Sequence, residues 1–391
     1  MKIDFDPPID RRNSLSDKWD NMEKLFGISP DEGLPMWTAD MDFKAAQPIN
    51  DAMAARVAHG VHGYHGNFKP YHDALIGWMR RRHDWDVKPD WIINTAGLVN
   101  AFAHCVQAYS EPGDGIILFT PFYLSFAPVI RANGREVVES PMINTNGRYS
   151  IDLDGLANQL TGREKILVWC SPHNPGGRVW TRAELVQVAD FCIAHNLILV
   201  SDEIHHDLIF PGHQHVTMRN AAPNVADRLI TLVAASKTFN LAGMEFGSAI
   251  VENPELHAKF MAAFNAMSTH TSLYGPIMAE AAYRHGDEWL EQVLAYLDGN
   301  RKVLEAGLAE IAGVRPMKID ATYLQWVDFS GTGMDDKEIR RRIQSEAKIA
   351  ASPGPAFGTG GEGFMRFNFA MTRANIIEAV ARMKRAFGDL Q

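Results

Sequence analysis

Three stretches decide the fold: Ile166-Leu-Val-Trp-Cys170 running into Ser171-Pro-His-Asn-Pro-Gly-Gly177, Leu197-Ile-Leu-Val-Ser201 into Asp202-Glu-Ile-His-His-Asp207, and Leu229-Ile-Thr-Leu-Val233 into Ala234-Ala-Ser-Lys-Thr-Phe-Asn240. Each begins as a continuously apolar run, the pattern of a strand covered on both faces by helices. Each ends in a polar cluster. Between the first two, Thr181-Arg-Ala-Glu184 reads as a capping box that opens a helix with Leu185, Val188, Ala189 and Cys192 on its apolar face. Strand, helix and strand in repetition predict an α/β region with a mostly parallel sheet. Gly115–Thr120 and Phe246–Val251 are further runs of the same kind.

Beyond Pro254 the strand signals stop, and long helices are expected to about Ala312. Strand-like Tyr323–Phe329 and Phe364–Phe369 then flank what reads as two helices, a smaller α+β unit. The first 45 or so residues, rich in Asp, Pro and Arg, match neither pattern and are expected to pack on the C-terminal part. At about 150 residues per domain, 391 residues suggest two or three domains. The isolated Cys105, Cys170 and Cys192 are odd in number and argue against a disulfide framework or a zinc ribbon. A net charge of −9 counts against nucleic-acid binding. No apolar stretch approaches the roughly 18 residues of a membrane span, and the start lacks the apolar core of a signal peptide. A soluble, cytoplasmic protein is expected.

In an open α/β sheet, loops at the carboxyl ends of strands line the ligand crevice. Asn174 sits there between two prolines, which by itself is equally well a rigid turn. Asp202 ends a buried strand, where a lone charge is costly without a partner such as a cationic ligand nitrogen. A helix N-cap is the plain alternative. Metal binding by Asp202, His205, His206 and Asp207 is disfavoured, because consecutive histidines point in different directions on a helix or a strand. Lys237 follows the third strand, where a lysine can have its pKa lowered and form a Schiff base. A single lysine is usually a surface residue. Three successive strand ends supplying Asn174, Asp202 and Lys237 together reverse that expectation.

In this order SPHNPGG, SDEIH and SKTFNLAG resemble the fold-type I pyridoxal-phosphate (PLP) enzymes, the aspartate aminotransferase superfamily, and within it the MalY/PatB group of cystathionine β-lyase-like C–S lyases. Asp10-Arg-Arg-Asn13, Lys18-Trp-Asp20, Asp40-Met-Asp-Phe43, Gly60-Val-His-Gly-Tyr64, Thr120-Pro-Phe-Tyr123, Thr322-Tyr-Leu324 and Gly363-Phe-Met-Arg366-Phe-Asn368 extend the likeness along the chain. The resemblance implies a large PLP-binding α/β domain over 46–285 and a small domain built from 1–45 and 286–391. It implies that Lys237 carries the cofactor and shuttles protons, and that Asp202 pairs with the ring nitrogen. Asn174 would bond the ring's 3-oxygen, with Tyr123 on one ring face and Ile204 on the other. Gly97, Leu98 and Val99 would receive the phosphate at a helix start, with Ser236 and His205 also in the cofactor site. Arg366 would take the substrate carboxylate in a bidentate fork, with Asn174 also among the substrate-binding residues. Tyr64 would reach the neighbouring subunit's phosphate, which implies a homodimer.

One departure discriminates. Many aminotransferases of the superfamily carry a phosphate-binding arginine eight residues after the lysine, where this chain has Glu245. That is consistent with the lyase group, although its frequent Cys-Pro after the Arg366 strand is here Met371-Thr372. The implied reaction is α,β-elimination from a cysteine-type amino acid such as cystathionine, giving thiol, pyruvate and ammonia. An aminotransferase is the alternative, and a MalY-like regulatory protein acting through protein contacts is a third. The implied partners are a small amino-acid substrate and a second copy of the chain, with no nucleic acid, membrane or metal.

Other patterns read as structure. Gly358-Thr-Gly-Gly-Glu-Gly363 matches a nucleotide-binding fingerprint but precedes a strand-like run rather than a helix. His59, His62 and His65 are interleaved with Gly60, Gly63 and Gly66, which suits an interface or substrate-mouth loop better than a metal site. Met261, Phe264 and Met267 recur at helical spacing and are expected in the core. Asp335–Ile343 reads as an amphipathic helix with a solvated charged face.

Overall fold

The computed structural model describes residues 2–390. Seven strands form the large sheet: β1 (Ile92–Thr95), β2 (Gly115–Thr120), β3 (Glu136–Pro141), β4 (Glu164–Cys170), β5 (Ile198–Asp202), β6 (Leu229–Val233) and β7 (Gly247–Ile250). Their spatial order is β1-β7-β6-β5-β4-β2-β3. The neighbours from β6 to β3 run parallel, whereas β7 is antiparallel to both β1 and β6. The apolar runs gave β2, β4, β5, β6 and β7 to within two residues at each end, but not the direction of β7. They missed β1, whose Asn94 and Thr95 interrupt the apolar pattern, and β3, an edge strand with Glu136, Glu139 and Ser140.

Helices cover the sheet. The ones used below are α1 (Lys69–His83), α2 (Leu98–Tyr109) and α3 (Arg182–Ala194). The capping box opens α3 as expected: Thr181 accepts from Glu184 N, and the Glu184 carboxylate accepts from Thr181 N at 2.9 Å. Leu185, Val188, Ala189 and Cys192 are all buried beneath it. After Pro254 come α4 (Pro254–Ala266), α5 (Tyr274–His285) and the long α6 (Asp287–Ala309). Met261 and Phe264 pack partly buried on the core, but Met267 is exposed, because α4 stops one residue short of it and the helical spacing no longer applies. Among the described residues no helix is long and apolar enough to cross a membrane.

A smaller antiparallel sheet holds β8 (Arg315–Pro316), β9 (Leu324–Asp328), β10 (Ser352–Pro353) and β11 (Phe364–Asn368) in the order β8-β9-β11-β10. Between β9 and β11 the expected two helices reduce to one, Asp336–Arg341, which continues into a π turn over Arg342–Glu346. Lys348 then takes a left-handed φ of 54°, and Ile349–Ala350 pairs in parallel with Leu34–Pro35 instead of continuing as helix. The N-terminal segment thus packs on the C-terminal part, as the sequence suggested. Met36 N donates to Ala350 O at 2.7 Å, and Asn368 N donates to Met36 O at 2.7 Å.

Candidate active site

The carboxyl ends of β4, β5 and β6 meet where parallel strands open their crevice. Cys170 pairs in register with Asp202, so the loop after β4 and the acid at the end of β5 start side by side. Past β6, a helical turn over Ala235–Thr238 turns Lys237 inward. A cavity of about 300 Å³ results. Gly97, Leu98, Val99, Tyr123, Asn174, Asp202, Ile204, His205, Ser236 and Lys237 all line it, with Ala39, Cys170 and Glu245. Those first ten are sequence-named positions, brought together from five separate segments.

Charge is unusual here. Burial pushes the Asp202 carboxyl up to about 6, although Ile204 N donates to its Oδ1 at 3.1 Å and Lys237 favours the ionised form. Burial also brings Lys237 down to about 8, against the pull of Asp40 and Asp202. Lys237 Nζ donates to Ala39 O at 2.7 Å, sharing that carbonyl with Tyr323 Oη at 2.9 Å. His205 is driven down to about 3 by burial, then by the Lys237 and Arg366 charges, and its Nδ1 has no hydrogen bond. It is a neutral ring facing the cavity. At the cavity rim, Gly97 takes φ 83° immediately before α2, a conformation that strains any side chain, and the first amides of α2 follow from Leu98.

Arg366 stands one layer back, on β11. Its Nη1 donates to Asn174 Oδ1 at 3.0 Å and its Nη2 to Trp37 O at 2.9 Å, while the Nε has no partner. Burial lowers its pKa to about 10, so it stays charged at neutral pH. The guanidinium lies 4.9 Å from the Phe357 ring centroid. Tyr64 is not brought to the cavity: it stands fully exposed, near His62, whose Nδ1 is 2.7 Å from Tyr274 Oη. The glycines of Gly358–Gly363 form a tight loop before β11, where a Cβ on Gly361 would collide with the Gly354 carbonyl. His205 and His206 point apart, as consecutive residues were expected to: the first lines the cavity and the second does not.

Sequence reasoning quoted Asp10–Asn13, Lys18–Asp20 and Asp40–Phe43 without assigning them work. They form one ion cluster beneath the segment that carries Ala39. Arg11 bonds Asp40 Oδ2 at 2.8 Å and Asp42 Oδ1 at 2.6 Å, and the fully buried Lys18 reaches Asp42 Oδ2 at 3.0 Å. Asn240, three residues past Lys237 and left-handed at φ 59°, ties this segment to the lysine loop by accepting from Met41 N at 2.8 Å and donating to Phe43 O at 2.8 Å. Loop residues carry no periodicity, so only their charge density could have marked them. Tyr323 and Cys170 were likewise not assigned to the site.

Comparison with known proteins agrees with this geometry. Residues 39–383 match the family model "Aminotransferase class I and II". The chain is 38% identical to cystathionine β-lyase PatB of Bacillus subtilis (strain 168), across 98% of this chain and all of that protein. The crystal structure of cystalysin from Treponema denticola, described as containing a pyridoxal 5′-phosphate cofactor, superimposes with a TM-score of 0.96 at 35% identity, over 100% of both chains. That of a PLP-bound C–S lyase from Staphylococcus hominis gives 0.92 at 28% identity, over 99% of this chain and 98% of that one. With the crevice, its lysine and its acid in their places, the chain belongs to the aminotransferase class I and II family.

Proposed function

We infer that the chain breaks the Cβ–S bond of a cysteine thioether such as cystathionine, releasing a thiol, pyruvate and ammonia. It is a PLP-dependent carbon–sulfur lyase. The residues fit the cofactor: among the described residues no cation lies in hydrogen-bond reach of the buried Asp202 carboxylate, and a buried lysine of lowered pKa stands in the same cavity. A pyridinium nitrogen would supply the charge Asp202 lacks. The observation that carries the lyase reading is the convergence of Asp202, Lys237 and Asn174 on one cavity, with Arg366 bonded to Asn174 one layer behind and Glu245 rather than an arginine at its edge.

PLP, when bound, supplies an electron sink conjugated to the substrate's Cα. The chain's residues do the rest. Lys237, whose pKa burial lowers to about 8, is far more readily deprotonated than an ordinary lysine, and would hold the cofactor and later take the proton from Cα. Asp202 would pair with the ring nitrogen and favour its protonated form. Arg366, positioned by Asn174 and Trp37 O, offers a planar fork to the substrate carboxylate and so fixes which bond at Cα faces Lys237. A thiolate is a good leaving group, and its departure from Cβ gives elimination.

The protein acts in the cytoplasm as a homodimer, with Tyr64 reaching the phosphate in the partner's cavity. Its full exposure on the 60–66 loop supports this, as does a groove lined by Asn240, Glu245, His270 and Tyr274 beside the cavity. Thiol release from cystathionine, followed with a thiol-reactive dye, tests the reading. Release by the wild type and none by Lys237→Ala is expected; no release from any cysteine thioether would overturn it.

A further inference from the structure

Starting one residue along the chain from Asp202, a second set of titratable groups lies buried outside the cofactor cavity. His206 is 1% exposed, and neither of its ring nitrogens makes a hydrogen bond. Its Nε2 lies 3.3 Å from Asp207 Oδ2. On one side His83 Nε2, at the end of α1, meets Asp207 Oδ1 at 2.7 Å. On the other, His215 Nε2 meets Glu203 Oε2 at 2.9 Å, and His215 Nδ1 also lacks a partner. The donor atoms of Glu203, His206 and His215 all lie within 4.8 Å of one another, and so do those of His83, His206 and Asp207.

The charges do not balance. Among the described residues the ion-pair partners of the two carboxylates are imidazoles alone. Two buried anions without a lysine or arginine are costly.

We propose that His206, His215 and Glu203, flanked by Asp207 and His83, bind one divalent transition-metal ion of the zinc class in a structural site. Imidazole nitrogens and carboxylate oxygens are the donor set such an ion prefers, and neutral histidine is the ligating form. Donors about 2.0–2.1 Å from a tetrahedral ion stand roughly 3.3 Å apart. Within the proposed set the His215–Glu203 contact, at 2.9 Å, needs to open by only a few tenths of an ångström, and the His206 donor lies within 4.8 Å of both. An outer layer that fixes metal ligands is present as well. Ser201 Oγ and Met218 N each donate to Glu203 Oε1 at 2.9 Å, while Trp78 Nε1 and Thr238 Oγ1 donate to Asp207 at 3.1 and 2.8 Å. The ion would tie the end of α1 and the loop at His215 to the strand end that carries Asp202. The adjacent His205 takes no part, which is why reading Asp202, His205, His206 and Asp207 as one ligand set fails.

Tag-free holoenzyme grown with added zinc and desalted is analysed for metal by inductively coupled plasma mass spectrometry, a readout independent of lyase activity. About one zinc per chain is expected. After chelator treatment, zinc chloride should raise Tm by about 5 °C, the shift of a ligand well above its Kd. His206→Gln should lose the metal and the zinc-dependent Tm shift while keeping a folded spectrum and bound cofactor. Should that variant not fold, His215→Gln is read in the same way, and zinc titration of the chelator-treated wild type stands by itself. Less than a tenth of an equivalent of metal with no Tm shift on adding zinc overturns the proposal. So does full metal retention in a folded His206→Gln.

Discussion

Asn174 Oδ1 accepts a hydrogen bond from Arg366 Nη1 at 3.0 Å, linking the loop after β4 of the large sheet to β11 of the small one. A group that orients the substrate's carboxylate is thereby registered against the wall of the cofactor cavity.

Arg366→Lys removes the fork but keeps the charge. A point charge cannot hold both carboxylate oxygens, nor reach Asn174 and Trp37 O together. Steady-state kinetics should show KM raised by roughly 10- to 100-fold, and Asn174→Ala should show a smaller rise. Unchanged KM in Arg366→Lys would remove the carboxylate fork from the account.

Asp202→Asn should retain cofactor but lose several powers of ten in turnover, each worth about 1.36 kcal/mol of barrier. In cofactor-free protein the same change should stabilise. The Asp202 pKa is raised from 3.8 to about 6, so the folded state binds the extra proton between those values. Its favourable share of stability is therefore complete at the acid end and lost as pH rises through about 6. Denaturant melts of the cofactor-free forms should give a variant-minus-wild-type gap that grows from pH 4 to pH 7, to on the order of 2 kcal/mol. A gap independent of pH would mean that Asp202 is ionised without difficulty where it lies.

Lys237, lowered from 10.5 to about 8, should set the pH dependence of cofactor capture. Its amine is mostly free above pH 8, whereas an unperturbed lysine would still be almost wholly protonated there. Stopped-flow absorbance after mixing cofactor-free protein with PLP should give a rate that levels off near pH 8 to 9. A rate still climbing steeply at pH 10 would count against the burial argument.

Tyr64 is tested by complementation. Tyr64→Phe and Lys237→Ala are each expected to be far weaker than wild type. Mixing them should form hybrid dimers with one intact site and recover part of the activity. Hybrids confirmed by mass but without recovery would place Tyr64 outside the partner's site.

Residues directly after a buried apolar strand were legible in the sequence, since the strand fixes where the next side chains emerge. Asn174, Asp202 and Lys237 are of this kind. Arg366 came only through the family likeness: nothing in the pattern of its strand, Phe364–Asn368, sets the arginine apart, although all five residues are buried. The Arg11–Asp40–Lys18–Asp42 cluster was quoted but not understood, because its members lie in loops whose pairing is decided by tertiary packing. Direction was hidden as well. β7 reads like its parallel neighbours because it too is buried on both faces, and only the connection from Lys237 through Glu245, left-handed at φ 45°, reverses it.

The partition of products tests the central claim most directly. Purified holoenzyme is given cystathionine, and pyruvate, thiol and pyridoxamine phosphate are measured in one sample, with and without an added keto acid. The account predicts pyruvate and thiol in equal amounts over many turnovers, little pyridoxamine phosphate and no dependence on the keto acid. Sustained amino transfer to the keto acid, with no thiol released from any sulfur amino acid tested, would contradict it and make the chain an aminotransferase.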